Sequence, residues 1–363
     1  MKKLLVTGGG SGGHVTPALA VMSELHVDGW GLVYVGSTSG LEEALVTPLS
    51  ATTGVRYYGI ASGKLRRYFS WRNLSDAILV LVGCVQALWR VGRERPTVVF
   101  SKGGFVAFPV VLAAWLWRIP VVAHESDATQ GLANKLSAPF VRTLCTSFPE
   151  TPVENFKGRV VYTGAPIRGE LLRGNAQRGK TSIGASESQR VLLVTGGSLG
   201  AQALNAAVVA ALEPLTQDHN WFVVHVCGPG KLAQVPASVL DPISYRAYEF
   251  VSDGWADLLA AADVVVTRAG ANTLFELLSL GKPNLLIPLP KQGSRGDQLD
   301  NAAYAAHNGY SEVLLEEQLS PKALVAAVNA MAADLDRWHA GLAGFSKANG
   351  AAQIAAEIQR LAP

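Results

Sequence analysis

Leu4-Leu5-Val6-Thr7-Gly8-Gly9 returns letter for letter as Leu192-Leu193-Val194-Thr195-Gly196-Gly197, and each copy runs into small residues and an Ala/Leu-rich stretch. A short apolar strand, a glycine turn and a helix form the βα entry of a doubly wound parallel sheet. The repeat therefore predicts two Rossmann-like α/β domains that open alike. Further buried strands are expected at residues 32–35, 97–101, 120–123 and 160–162, and in the second half at 222–227, 264–267 and 285–287, with room for crossover helices between them. The polar stretch 173–189, rich in Gly, Ser, Gln and Arg, reads as a linker and puts the boundary within 163–190. Two such sheets are expected to face each other across a cleft, with ligands at the carboxyl ends of their strands.

A chain of 363 residues, 49% hydrophobic and 16% charged, exceeds what one core ordinarily supports and excludes a disordered or fibrous protein. Cys84, Cys145 and Cys227 lie far apart and leave one thiol over under any disulfide scheme, so they read as buried thiols in a reducing compartment. After Lys2 and Lys3 the apolar run is only Leu4-Leu5-Val6, which suits a first strand and not a signal peptide. The formal charge of +3 is mild, so the placement of charges carries more than their sum, and no nucleic-acid partner is expected.

Gly8 to Gly13 satisfies GxGxxG between a strand and a helix expected to begin with Thr16 as N-cap and Pro17 as its first residue. That context suits a phosphate. A nicotinamide-dinucleotide site would add an acidic residue at the end of the second strand, and here that strand ends Tyr34-Val35-Gly36-Ser37. A second loop, Ser101-Lys102-Gly103-Gly104-Phe105, follows another strand, and a third, Gly196-Gly197-Ser198-Leu199-Gly200, opens the second domain. Each loop alone also reads as a tight turn needing positive φ; together they suit more than one phosphate-bearing ligand.

Residues 263–276 read as strand, small-residue turn and helix, the helix ended by Gly281 and Pro283. Its start would present N–H groups to an anion. Glu276, inside it, reads either as an acceptor for ribose hydroxyls or as an acid complementing the helix dipole. Residues 288–301 read as a polar loop in which Asp297 or Gln298 reads sugar hydroxyls, or as ordinary surface. Between Lys64 and Arg95 an apolar segment, 77–89, is flanked by Lys64, Arg66, Arg67 and Arg72 and by Arg90, Arg93 and Arg95. It is too short to span a bilayer, and it reads either as a segment on an anionic leaflet, extended by 111–117, or as a buried crossover helix.

Several stretches in order resemble one family: GGGSGGHVTPALA (8–20), SKGGFVAFPVVLAA (101–114), HESDATQGLANK (124–135), TGAPIRGEL (163–171), VTGGSLGAQALN (194–205) and TRAGANTLFELLSLGKP (267–283). They are similar to the MurG-type UDP-N-acetylglucosamine:undecaprenyl-pyrophosphoryl-muramyl-pentapeptide N-acetylglucosaminyltransferases of peptidoglycan synthesis, which have the two-domain GT-B fold. The resemblance implies an acceptor-binding, membrane-associating domain over 1–163 and a UDP-N-acetylglucosamine domain over 164–344, with a C-terminal helix over about 345–363 packing back on the first. It places the acceptor's diphosphate on Gly9, Gly10, Lys102, Gly103 and Gly104. On the donor it places Ser11, Gly12, Gly13 and Asp127, with Arg168 and Ser198 at the diphosphate and Ala271, Asn272 and Thr273 at a phosphate. Phe250 and Val251 would take the uracil, Glu276 the ribose, and Asp297 and Gln298 the amino sugar. Asp127 stands where a common form of the pattern has Asn.

Inverting transfer needs a base for the acceptor hydroxyl and positive potential for the leaving UDP. His14 resembles the family's proposed base, and Glu125, beside His124, is the rival. The one Asp-x-Asp string, Asp334-Leu335-Asp336, falls in a C-terminal helical stretch far from the glycine loops, so no metal and no cofactor is expected. The implied partners are UDP-N-acetylglucosamine, the lipid-linked muramyl pentapeptide and an anionic membrane, at its cytoplasmic face. Same-fold alternatives are a glycolipid synthase, a nucleotide-sugar epimerase or a non-catalytic docking subunit.

Overall fold

The computed structural model describes residues 2–362 except Ser11, Ser39, 64–71, Glu154, Asn155, Leu199, His219, 237–243, Ser294, Arg295 and 346–349; of 72–77, Asp218, Gln234 and Gly293 it describes the backbone alone. The chain divides into two compact units, Met1–Arg168 with Ala348–Pro363, and Gly169–Lys347.

The first unit contains β1 (Lys3–Thr7), α1 (Gly12–Val27), β2 (Gly31–Ser37), α2 (Leu41–Val46), α3 (Ser50–Thr53), β3 (Arg56–Ile60), α4 (Arg72–Glu94), β4 (Val98–Ser101), α5 (Ala107–Leu116), β5 (Val121–Glu125), α6 (Leu132–Ser137), β6 (Thr143–Thr146) and β7 (Arg159–Tyr162). Its strands are parallel in the order β3-β2-β1-β4-β5-β6-β7. Strand order reverses between β1 and β4, where an open α/β sheet leaves a crevice at the carboxyl ends.

The second unit contains α7 (Ala176–Ile183), β8 (Arg190–Thr195), α8 (Gln202–Glu213), β9 (Trp221–Val226), β10 (Tyr245–Tyr248), α9 (Trp255–Ala261), β11 (Val264–Thr267), α10 (Ala271–Ser279), β12 (Asn284–Leu286), α11 (Asp297–His307), β13 (Glu312–Val313), α12 (Pro321–Ala333) and α13 (Leu335–Ala343). Its parallel order is β10-β9-β8-β11-β12-β13, with the reversal between β8 and β11. The last helix, α14 (Gly350–Leu361), belongs to the first unit and packs on α1.

The continuous apolar run of β1 is what a strand covered on both faces requires. Leu4 and Val6 enter one layer with Val21 and Leu25 of α1 and Ile354 and Ile358 of α14. Leu5 enters the other with Ala87 and Val91 of α4 and Val110 and Val111 of α5. The strands expected from the sequence are present within a residue or two; β3, β6, β10 and β13 were not anticipated.

Three local expectations are corrected. Helix α1 starts at Gly12, not after Thr16, and Pro17 lies inside it. Gly12 and Gly13 let the helix begin immediately after the turn, and the Thr16 hydroxyl donates to Gly12 O at 2.8 Å instead of capping. The supposed linker 173–189 contains α7, capped by Asn175, which accepts from Arg178 N, and ended by Gly184 at φ 80. Arg178 also pairs with Asp257 of α9 at 2.8 Å, so the polar residues serve a packed helix. Asp297 and Gln298 do not sit in a loop but open α11, after Gly296 at φ 88.

Candidate functional site

In the first unit the two glycine loops meet at the β1/β4 reversal and interlock. A Cβ on Gly104 would stand 2.2 Å from Gly9 O, and one on Gly10 would stand 2.4 Å from the Phe105 ring. Gly10, Gly103 and Gly104 are also held at φ 91, 86 and 84, which L side chains avoid. The tight-turn reading of these glycines holds: the turns bring the backbone of the two loops together.

His14, in the first turn of α1, has Nδ1 3.2 Å from Lys102 O. A carbonyl oxygen only accepts, so Nδ1 carries the proton and Nε2 is the basic nitrogen. Lys102 itself is 1% exposed, and its amine donates to Ser126 Oγ. Burial pushes that amine down to about 8, against the opposing pull of Glu125 and Asp127. Burial first, then the Lys102 charge, hold His124 well below the usual imidazole range, so it is neutral, with Nε2 3.2 Å from Gly164 O. The Glu125 carboxylate accepts from Gly131 N at 2.8 Å, Asn134 Nδ2 at 2.9 Å and Asp127 N at 3.3 Å, which ties the 126–131 loop to β5.

The second unit repeats the arrangement at the β8/β11 reversal. Gly200, at φ 67, lies so close to Cys227 that a Cβ would be 2.0 Å from its carbonyl oxygen. Helices α8 and α10 both begin here behind Ala201 and Gly270, neither of which offers a side-chain cap. Their first amides are therefore suited to an anion. Arg268, 9% exposed, donates to Ile287 O at 3.1 Å and pairs with Glu316, while Asn301 Nδ2 donates to Ala269 O at 3.1 Å. These contacts fix the turn ahead of Ala271, Asn272 and Thr273. Glu276 is half-buried farther along α10, Phe250 is exposed after β10 with Val251 beside it, and Ser198 is exposed in the glycine loop. Gln298 Oε1 accepts from Leu289 N at 2.9 Å, which leaves its amide NH2 as a donor.

Within the first unit, Gly9, Gly10, Gly12, Gly13, His14, Lys102, Gly103, Gly104, Glu125 and Asp127 thus gather at the carboxyl ends of β1, β4 and β5, and Arg168 ends the unit's main segment; Ser11 lies outside the described residues. Ser126, Asn134, Arg268, Asn301 and Glu316 escaped the sequence reading because their roles depend on partners far along the chain. So did Glu42, whose buried carboxylate returns to the end of β2, where the strand itself ends without an acid.

Elsewhere, α4 presents Ile78, Leu81, Val85 and Trp89 at 56, 67, 69 and 57% exposure, beside Trp115 and Trp117 at the end of α5. Val111 faces inward, so only the end of 111–117 joins this patch. Arg90 lies over the Tyr58 and Trp89 rings, and Arg93 over Trp89. Lys64, Arg66 and Arg67 of the first basic flank lie outside the described residues, and Arg72 is described by its backbone alone. Among the described residues no helix is long and apolar enough to cross a membrane. Asp334 caps α13 by accepting from Arg337 N at 3.3 Å, a structural use for half of the Asp-x-Asp string. All three cysteines are free; Cys145 and Cys227 are buried and Cys84 partly so.

Residues 4–146 match the glycosyltransferase family 28 N-terminal domain and residues 191–358 its C-terminal domain. The chain is 44% identical over 337 residues, 93% of its length and 92% of the relative's, to a UDP-N-acetylglucosamine--N-acetylmuramyl-(pentapeptide) pyrophosphoryl-undecaprenol N-acetylglucosamine transferase of Geobacillus thermodenitrificans. It is 47% identical over 330 residues, 91% of this chain and 90% of the other, to the Clostridium botulinum protein of the same name. In fold it is similar to the crystal structure of Acinetobacter baumannii MurG, at a TM-score of 0.76 and 24% identity over 99% of this chain and 100% of that one. Two parallel Rossmann-like sheets with glycine loops at both reversals, and identity to these relatives along nine-tenths of the chain, place it in glycosyltransferase family 28, among the N-acetylmuramyl-(pentapeptide) pyrophosphoryl-undecaprenol N-acetylglucosamine transferases.

Proposed function

We propose that this chain transfers N-acetylglucosamine from its UDP donor to the C4 hydroxyl of undecaprenyl-pyrophosphoryl-N-acetylmuramyl-pentapeptide, inverting the anomeric centre. The observation that carries this reading is the 44–47% identity to transferases so named, along nearly the whole chain. The acceptor oxygen attacks the anomeric carbon, its proton passes to His14 Nε2, and the bond to the UDP oxygen breaks with both electrons leaving on UDP. The Lys102 carbonyl supports this role, because it fixes the His14 tautomer. Glu125, whose oxygens already accept three N–H donors, acts by holding the 126–131 loop and not as the base.

The first unit takes the acceptor, its diphosphate on the turn of Gly9 and Gly10 and the loop of Lys102, Gly103 and Gly104. Ser11, Gly12, Gly13 and Asp127 touch the donor. The second unit takes the rest of UDP-N-acetylglucosamine: Glu276 the ribose, Phe250 and Val251 the uracil, and Asp297 and Gln298 the sugar. Arg168, Ser198 and the amides of Ala271, Asn272 and Thr273 stabilise the departing diphosphate, as oriented N–H groups and a guanidinium do without a metal. The exposed apolar face of α4 with Trp115, Trp117, Arg90 and Arg93 supports a peripheral position on an anionic leaflet, at the cytoplasmic side where the donor is found.

The test is UDP release from UDP-N-acetylglucosamine by the purified protein, with and without detergent-solubilised lipid-linked muramyl pentapeptide. Release that depends on the acceptor, with the sugar recovered on the lipid, is expected. Release without acceptor would favour an epimerase, and no turnover in either case a docking subunit.

A further inference from the structure

Glu42 is fully buried in the first turn of α2, and nothing in the transfer mechanism uses it. Its Oε1 accepts from the backbone N–H of Ser37 at 2.8 Å and from the Ser37 hydroxyl, and its Oε2 from Gly10 N at 3.4 Å. Three glycines clear the space it fills: a Cβ on Gly9, Gly36 or Gly40 would stand 2.4, 2.5 or 2.5 Å from a Glu42 side-chain atom. Two tyrosines brace the same cluster. Tyr34 OH donates to Gly8 O at 2.7 Å, and Tyr57 OH donates to Ser37 O at 2.6 Å. Burial first, and then the Glu42 charge, push both phenols up, so both stay protonated donors. No ion-pair partner of Glu42 exists among the described residues.

Burying a carboxylate without a cation is costly unless hydrogen bonds compensate it. Here the compensation comes from the end of β2 on one side and the first glycine turn on the other. The Gly10 amide is drawn inward to Glu42, so the turn's outward surface is built from its other groups and the start of α1. We propose that Glu42 is a positioning residue for the acceptor: from behind the loop, it holds the Gly8–Gly10 turn in the shape that receives the lipid-linked diphosphate. This rests on the assignment of that turn to the acceptor.

A glutamine is nearly isosteric but offers one acceptor oxygen where the carboxylate offers two, so it cannot serve Ser37 and Gly10 together. Steady-state kinetics of Glu42→Gln, with the detergent-solubilised acceptor and the sugar nucleotide varied separately, are expected to show an acceptor KM about tenfold higher or more. The donor KM and kcat stay within about twofold, because a hydrogen bond made behind the loop acts before the chemical step. Ser37→Ala, which removes one hydroxyl donor and is the fallback if Glu42→Gln does not fold, is expected to give a smaller rise in the same constant. An unchanged acceptor KM, or an equal rise in both KM values, would overturn the proposal. Gly104→Ala separates the proposal from its premise, since its Cβ would meet Gly9 O whatever Glu42 does. If Gly104→Ala raises the acceptor KM and Glu42→Gln does not, Glu42 alone is exonerated. If neither raises it, the acceptor does not sit on these loops.

Discussion

One contact between His14 and Lys102 fixes the tautomer on which the proposed base role rests, because the carbonyl that receives the Nδ1 proton makes Nε2 the basic nitrogen. Replacing His14 with Ala is expected to lower kcat at saturating acceptor by about 100-fold or more while UDP binding by calorimetry is unchanged; near-normal turnover would remove His14 from the base role. In the second unit His225 is equally constrained but structural. Its Nε2 donates to Asn205 Oδ1, its Nδ1 accepts from Tyr245 OH, both at 3.0 Å, and Asn205 Nδ2 donates to the Cys227 carbonyl that abuts Gly200. Burial holds this imidazole down at about 4, below the unfolded value near 6.5. Between those values the unfolded chain binds a proton that the folded chain refuses. The contribution is complete above pH 6.5 and is lost as pH falls towards 4, at up to about 1.4 kcal/mol per unit. Urea midpoints between pH 7.5 and 5 should fall less steeply for His225→Gln than for the wild type, the remainder belonging in part to His124; parallel slopes would refute this.

Among the elements, α4 shows most clearly what a sequence can and cannot say. Its basic flanks and apolar middle admit both a core helix and a membrane face, and the helix has one buried side and one exposed apolar side: Ala87 and Val91 are buried while Ile78, Leu81 and Val85 are not. Changing those three exposed residues to Ser together should weaken binding to anionic vesicles by more than about tenfold. The melting temperature in detergent-free buffer should move by no more than about 2 °C, since no core is touched; unchanged vesicle binding would place the membrane face elsewhere. The central strands were legible because burial on both faces demands unbroken apolar runs such as Leu4-Leu5-Val6 and Val264-Val265-Val266. Edge strand β3, with Arg56 and Gly59 exposed, carries no such run, and α7 looks like a linker in sequence because its fold comes from a cap and the Arg178–Asp257 pair, not from hydrophobic periodicity. The glycine loops, His14 and the start of α10 could be read from local order along the chain. Glu42 could not, since Glu43 beside it looks the same in sequence and only Gly9, Gly36 and Gly40, brought together by the fold, distinguish the two.

At the scale of the whole molecule, the first unit is assembled from two distant pieces of chain, with Ile354 and Ile358 of α14 completing the layer built on α1. Ile358→Ala should cost about 2–5 kcal/mol, and that cost should fall on one unit only. Calorimetry of the variant is expected to show one transition lowered and the other unmoved; a uniform shift of both would mean that the two units unfold as one. The same discontinuity sets an order on synthesis. The second unit has all its strands and helices once residue 347 has been made, whereas the layer beneath the His14 loop still lacks a wall until residues 350–361 follow. The layer built on α1 is therefore closed only after every strand of both sheets has been made, so the first unit, although it starts first, is the later of the two to complete its described fold.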